Sequence, residues 1–491
     1  MKRNGFALFC AAVMSASLIG AMPVSATDPE NPESMLYEDL NYDFQEDGSI
    51  IITNCLQNAV TCEIPESIDG RTVTAIADSA FSECYFLEEV VIPDSVTSIG
   101  RQAFSACSVL KKVTMPETVT SFGAGVFDAC SALEEVTLPG GIEELPQAAF
   151  YECTALTKVT LPEGLTTIGS EAFYNCAALT ELTLPESTDA IADYAFQGCE
   201  ALTELKLPAA TVNLGQYVFQ DCGSLEAITV DEGNAMFCDK DGVLFTADGV
   251  TLVRYPENKA GESYTVPDGC TQIANGSFVD AVKLKSIDLN QATVFGRDVF
   301  FRCTGLESLV IPEGTEILSD SMLAYCSGLK SVTLPSSLTM ISDYAFYTCA
   351  GLTELVIPEG TTSIGAYAFF NCMGMKKLYL PDSIEELGDG AMGYYAESED
   401  TEPQKVSGFS VEYGSNQVIY DFVKQYDLSG TGHGEFPWLT VLLSAGGVLV
   451  LAGGIALIVI LRKRAYTPRP VPGGRQGSAS KRPDPNKKGK S

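Results

Sequence analysis

Cysteine recurs every 23 residues along this chain, at Cys84, Cys107, Cys130, Cys153, Cys176, Cys199 and Cys222, and the spacing resumes from Cys303 through Cys326 and Cys349 to Cys372. A fixed period of this kind belongs to repeat architectures and overrides any count of domains by length. Phenylalanine stands three residues before most of these cysteines, at Phe81, Phe104, Phe127, Phe150, Phe173, Phe196 and Phe219, then at Phe300, Phe346 and Phe369; Leu323 substitutes once. Proline keeps the same step, from Pro93 to Pro208 and again from Pro312 to Pro381.

One unit reads L-x-x-V-x-L-P-x-x-V-x-x-I-G-x-x-A-F-x-x-C-x-x, beginning for example at Leu156. Apolar residues two apart predict a short strand with one buried face, and the proline, having no N–H to give to a ladder, ends it. Ile168-Gly169 then turns the chain, and Ala172 to Leu179 returns it through a tight helical or irregular turn. No single unit can bury its own apolar residues, so neighbours stack and share a core. Thirteen Ile-Gly-like positions lie between Ile76 and Leu387. At about 4.8 Å per stacked strand, that many coils extend on the order of 60 Å. The fold expected is an α/β repeat solenoid, mostly short parallel strands joined by turns or short helical segments.

These residues resemble the BspA-type leucine-rich repeat, a family of surface proteins, over roughly Glu38 to Leu428. The resemblance implies a right-handed solenoid with roles in adhesion or in contact with host and matrix. It also implies an N-terminal capping hairpin around Asp47-Gly48 and a terminal cap from Gly408 to Leu428, where Tyr420, Phe422 and Tyr426 fall in a helical pattern. Between the two repeat blocks, Asp241-Gly242 and Asp248-Gly249 are turn signals flanking alternating residues, which predicts an inserted β-hairpin over 237–256.

Both ends carry targeting signals. Lys2 and Arg3, the apolar run from Phe6 to Ala21 and the small residues Val24-Ser25-Ala26 predict a signal peptide over 1–26, with Thr27 as the mature N-terminus. Pro437 to Leu461 is a 25-residue stretch without a charge. As a helix it rises about 37 Å, more than the roughly 30 Å hydrocarbon core. Trp438 stands at its outer edge and Arg462-Lys463-Arg464 follows as a positive-inside stop, so the expected topology is a single-pass type I protein of the cell membrane with the repeats outside. The division expected is 1–26 signal, 27–66 N-terminal cap, 67–229 first repeat block, 230–266 insert, 267–393 second block, 394–428 C-terminal cap, 429–436 linker, 437–461 membrane span and 462–491 tail.

Cut at these boundaries, the chain places 18 basic and 63 acidic residues outside, a net charge of −45, and leaves +9 on the tail. So acidic an exterior repels nucleic acid and anionic polysaccharide and favours basic partners. The tail, rich in Pro, Gly, Lys and Arg, cannot build a core and is expected along the anionic inner leaflet.

Little in the sequence supports chemistry. The one histidine, His433, sits in a Gly-rich stretch beside the membrane span. No nucleophile has a positioned base, and no histidine or paired-cysteine spacing suits zinc. Carboxylate pairs such as Glu88-Glu89, Glu134-Glu135 and Glu143-Glu144 are too common here to mark a glycosidase. The expectation is therefore no catalytic residue, no metal and no cofactor. Cysteines stacked in register have parallel side-chain vectors that suit buried thiols better than disulfides. Cys55 and Cys62 lie outside that register and are the pair that could close a short loop in the cap.

The outward strand rows offer the expected partner surface, for an extracellular protein or glycan. In the first block the residue before the valine runs Glu89, Lys112, Glu135, Lys158, Glu181 and Glu204, an alternation that neutralises itself in part. The second block is less charged, and the row after the valine reads Val310, Thr333, Val356 and Tyr379; these are the candidate partner-binding residues. The leading functional expectation is adhesion or protein and glycan binding. The alternatives are a passive surface-coat spacer and a receptor signalling through the tail.

Overall fold

Valine and leucine alternate with polar residues in the strands Glu89–Val91, Lys112–Thr114, Glu135–Thr137 and Lys158–Thr160, and in the last three the central valine is buried while its neighbours are exposed. The computed structural model, which describes residues 35–37, 40–55, 59–396 and 401–432, stacks these strands in parallel with a register of one coil. They form a first ladder on one side of a β-solenoid. The signal peptide, His433, the expected membrane span and the tail lie outside the described residues.

The Ile-Gly segment is more than a turn. In each coil it contributes a two-residue strand, such as Thr167–Ile168 or Ala190–Ile191, to a second parallel ladder, and the glycine or alanine that follows donates its N–H to the coil before. Gly169 N reaches Leu145 O at 2.8 Å and Ala192 N reaches Ile168 O at 2.9 Å. Pro146 occupies the same place in one coil and has no N–H to give. There both ladders break, between Lys112–Thr114 and Glu135–Thr137 and between Ser121–Phe122 and Glu144–Leu145.

The return segment closes the third side. Within the repeats it contains no helix, which corrects the expected α/β class to a β-solenoid of strands and tight turns. Each return carries two residues in the left-handed region, for example Glu171 (φ 59°) and Asn175 (φ 56°). That alternation lets every second N–H point along the array. Glu171, Phe173 and Asn175 donate to Asp193 O, Ala195 O and Gln197 O of the next coil at 3.0, 2.8 and 2.7 Å. Buried backbone donors are thereby satisfied without regular secondary structure.

Inside, the phenylalanines form a stack. Phe104, Phe127, Phe150, Phe173 and Phe196 are fully buried, with successive centroids 5.4–5.5 Å apart and planes within 12–14°. The cysteines form a second internal column. From Cys107 onward each thiol of the column donates to the carbonyl of the phenylalanine, or at Cys349 of Leu323, in the preceding coil, as in Cys153 Sγ to Phe127 O and Cys326 Sγ to Phe300 O, both 3.1 Å. Burial holds Cys153, Cys176, Cys222, Cys326 and Cys349 well above the usual thiol range and pushes Cys372 up to about 12. A thiol with so high a pKa is a poor nucleophile.

At the start of the array, Leu40–Phe44 and Ile50–Cys55 pair antiparallel around Asp47-Gly48, and Ile50–Cys55 then leads the second ladder. Cys55 and Cys62 are both buried; their thiols adjoin, and Cys84 is a further neighbour of Cys55. At the far end Ser410–Tyr413 and Ser429–Gly432 extend the first ladder. Between them runs the helix Gln417–Gln425, capped by the Asn416 side chain and burying Ile419, Phe422 and Val423.

The insert contains three strands rather than the two of a simple hairpin. Phe237–Lys240, Val243–Thr246 and Thr251–Arg254 pair antiparallel, and the third then pairs in parallel with Gln272–Ile273, so it takes the place of a coil in the second ladder. The apolar core divides here into two clusters. Leu244 of the insert packs in the first cluster, and polar side chains add to the junction. Arg254, buried, donates to Phe219 O at 2.9 Å, to Gly276 O at 2.6 Å and to Glu257 at 2.7 Å. Arg302 bridges Asp221 and Asp280, and Tyr217 donates to Asp298 at 2.8 Å.

Candidate binding surface of the second block

Outward rows present one side chain per coil, so a surface can be read along the array. In the first block Lys112 pairs with Glu89 at 2.7 Å and Lys111 with Glu88 at 2.8 Å, one coil apart in each case. Glu135 and Lys158 stand in register but form no ion pair among the described residues, and Lys206 turns to Asp231. The alternating charge row is therefore realised at one rung. Such exposed pairs, screened by solvent, contribute little to stability. Where the first ladder breaks, a cleft of about 530 Å³ opens between Lys111–Met115 and Glu134–Thr137.

The four residues singled out in the second block do not form one patch. Val310 is 62 % exposed and adjoins the exposed Thr333 in register. Sheet pairing breaks before Glu354–Val356, so Val356 and Tyr379 belong to the next sheet. Tyr379 is buried, at 7 % exposure, and this corrects its assignment to the open face. Its strand is flanked by Val356 on one side and by Glu412 of the C-terminal cap on the other, a neighbour that the repeat spacing does not show.

The second ladder carries an apolar row that the sequence reading passed over. Val294 (56 % exposed), Ile317 (44 %) and the half-buried Met340 take the same outward position in three successive coils, with sheet pairing continuous from Ile317 to Met340 and broken between Val294 and Ile317. The equivalent first-block residues are Ser121, Glu144, Thr167, Ala190 and Asn213. The signal was available as the residue before each repeat isoleucine, in a segment read as a turn instead of a strand. Beside Met340 lies a cleft of about 310 Å³, lined in part by Asp320, Asp343, Ser363 and Glu386. Contiguous exposed apolar residues rimmed by polar ones are the usual mark of an interaction surface. Among the described residues no group of three His, Cys, Asp or Glu side chains could hold a metal ion.

The fold has solved counterparts. It is similar to a leucine-rich cell-surface protein from Faecalibacterium prausnitzii A2-165, at 29% identity and a TM-score of 0.64, over 76% of this chain and 97% of that one. It is also similar in fold to the pneumococcal vaccine antigen PcpA, at 22% identity and a TM-score of 0.52, over 82% of this chain and 99% of the other. No curated protein matches the sequence. A family model for the BspA type leucine rich repeat region matches residues 74–191, 143–240 and 271–399, with six copies. With the repeat, the stacking and the family model in agreement over most of the array, the chain belongs to the BspA-type leucine-rich repeat family.

Proposed function

We propose that this protein is displayed on the cell surface and binds a partner outside the cell through the second repeat block. The observation that carries this reading is the exposed apolar side chains of the second block: Val294 and Ile317, with half-buried Met340, on the second ladder, and Val310, beside Thr333, on the first. A solenoid offers an extended surface without the need for chemistry. Attachment to the membrane rests on the uncharged stretch 437–461 and export on residues 1–26, as read from the sequence. Cells displaying the full chain are expected to adhere to a panel of extracellular matrix proteins, host cells or neighbouring bacteria, and to lose that adhesion when Val310 and Ile317 are replaced by charged residues. Adhesion unchanged by these substitutions would place the binding surface elsewhere, and a full chain that adheres to nothing in the panel would favour the spacer reading, which the paired charges of the first block also suit.

A further inference from the structure

The third side of the second block carries an aromatic cluster outside both ladders. Phe301 meets Tyr325 edge to face, with ring centroids 5.1 Å apart, and Tyr325 meets Tyr347 at 5.3 Å. Tyr347 stacks on Phe370 at 5.9 Å with planes 8° apart, and Tyr344 stacks on Tyr367 at 5.4 Å with planes 17° apart. Contacts from Tyr344 to Tyr347 and from Tyr367 to Phe370 join the two stacks, at 5.6 and 5.4 Å. Six rings from four coils thus form one connected patch. Tyr367 is exposed, Phe301, Tyr325, Tyr344 and Tyr347 are half-buried, and Phe370 lies beneath.

These tyrosines occupy costly positions. Tyr325, Tyr344 and Tyr367 have φ of 62°, 58° and 54°, a region bulky side chains rarely enter. The place of Tyr344 and Tyr367 is left-handed in the other coils too, taken by Gly125, Gly276 and Gly390 and also by Tyr194 and Tyr217. The backbone there is fixed by bonds along the array, Tyr325 N to Tyr347 O at 2.7 Å and Tyr344 N to Ala366 O and Tyr367 N to Asp389 O, both at 3.0 Å. The backbone of the array thus fixes the direction in which these rings leave it.

Charge decides the partner. Asp320, Asp343 and Asp389 are exposed on the row next to the left-handed tyrosines. Between residues 303 and 375 the only basic side chain is Lys330, and it is paired with Glu307 at 2.8 Å at the edge of the first ladder. Arg302 lies over the Phe301 ring at 5.4 Å but is committed to Asp221 and Asp280, so beyond Phe301 the patch is apolar, aromatic and bordered by acid. Stacked pairs cover one face of each ring, which leaves a sugar less open ring face than isolated rings would. Tyrosine clusters anchor protein partners, and an acidic rim selects cationic ones.

We infer that this aromatic side docks a basic protein segment, rich in arginine or lysine. The inference rests on the surface-binding reading above and gives it a partner chemistry. The test measures binding of an arginine-rich peptide, its glutamate counterpart and a neutral oligosaccharide to the full chain in detergent. In the double variant Tyr344→Asn with Tyr367→Asn, where asparagine tolerates the left-handed backbone, affinity for the arginine peptide is expected to fall about tenfold or more. Asp320→Asn with Asp343→Asn should weaken it and flatten its salt dependence. The control Tyr151→Asn with Tyr174→Asn removes another stacked pair, at 4.7 Å in the first block, without altering charge, and should bind as the parent does. Equal affinity in the Tyr344/Tyr367 variant, equal loss in the control, or an oligosaccharide that binds and is lost in the Tyr344/Tyr367 variant would each overturn the inference. Adhesion that persists while the peptide ignores these tyrosines would leave the surface-binding reading standing and remove this one.

Discussion

The thiol of Cys176 donates a hydrogen bond to the carbonyl oxygen of Phe150, 3.1 Å away and one coil back. The same oxygen also accepts the N–H of Cys153 at 3.2 Å, so the cysteine column ties each coil to the one before it. Cysteine here is a buried donor small enough to stand beside the phenylalanine stack. Replacing Cys176 with alanine removes the donor and some volume, and is expected to cost about 1–2 kcal/mol in chemical denaturation. Serine keeps a donor and should cost less than alanine. Native protein should resist alkylation at this column, and unfolded protein should react.

The phenylalanine stack sets a larger effect. Phe150 is fully buried, with Phe127 and Phe173 on either side at 5.5 and 5.4 Å. Phe150→Ala is expected to cost about 3–5 kcal/mol. Because each coil touches only its neighbours, hydrogen exchange should rise first in the coils on both sides of residue 150 and much less in the second block.

Glu257 makes stability depend on pH. Burial pushes its carboxyl up to about 8, with Arg254 opposing, against an ordinary value of 4.5. The folded protein therefore keeps a proton there that the unfolded chain gives up. That contribution is complete below about pH 4.5 and is lost as pH rises through about 8. The denaturation midpoint should fall across this window, and Glu257→Gln should flatten the fall. Asp280 and Asp298, raised by burial as well, account for slope that remains in the variant.

Ile317→Lys tests the apolar row without touching the core. The side chain is 44 % exposed, so stability should stay within about 0.5 kcal/mol of the parent. Adhesion, if this row carries it, should drop while the melting temperature holds. A melting temperature that falls in parallel would show that Ile317 packs as core.

The period was legible because Phe150, Cys153 and Pro162 repeat as a set, and only a stack of coils explains such a set. What each member does was less legible. The partner of the Cys176 thiol lies 26 residues upstream, at a carbonyl that no side-chain pattern marks. Ile168 was read as part of a turn, since two residues are too few to show the alternation of a strand, and the second ladder with its Val294–Ile317–Met340 row stayed hidden with it. Tyr344 and Tyr367 sit in left-handed turns, where glycine and asparagine are the residues that signal conformation. Tyr379 shows the reverse error: its row was found, but the cap strand that buries it comes from outside the repeat.

The polar seam at Arg254 has a mechanical side. Within each block a pull along the array is shared among backbone bonds from coil to coil, but at the insert the first- and second-ladder strands Ala227–Val230 and Asn213–Leu214 end their sheets. Fewer bonds cross there: Arg254 on Phe219, Arg302 on Asp221, Tyr217 on Asp298, and the backbone bonds of Ile228 N to Gly242 O and Asn258 N to Leu225 O. A tethered protein gripping a distant surface would yield there first. Each block would keep its shape while the seam between them gave, making the seam a built-in shock absorber.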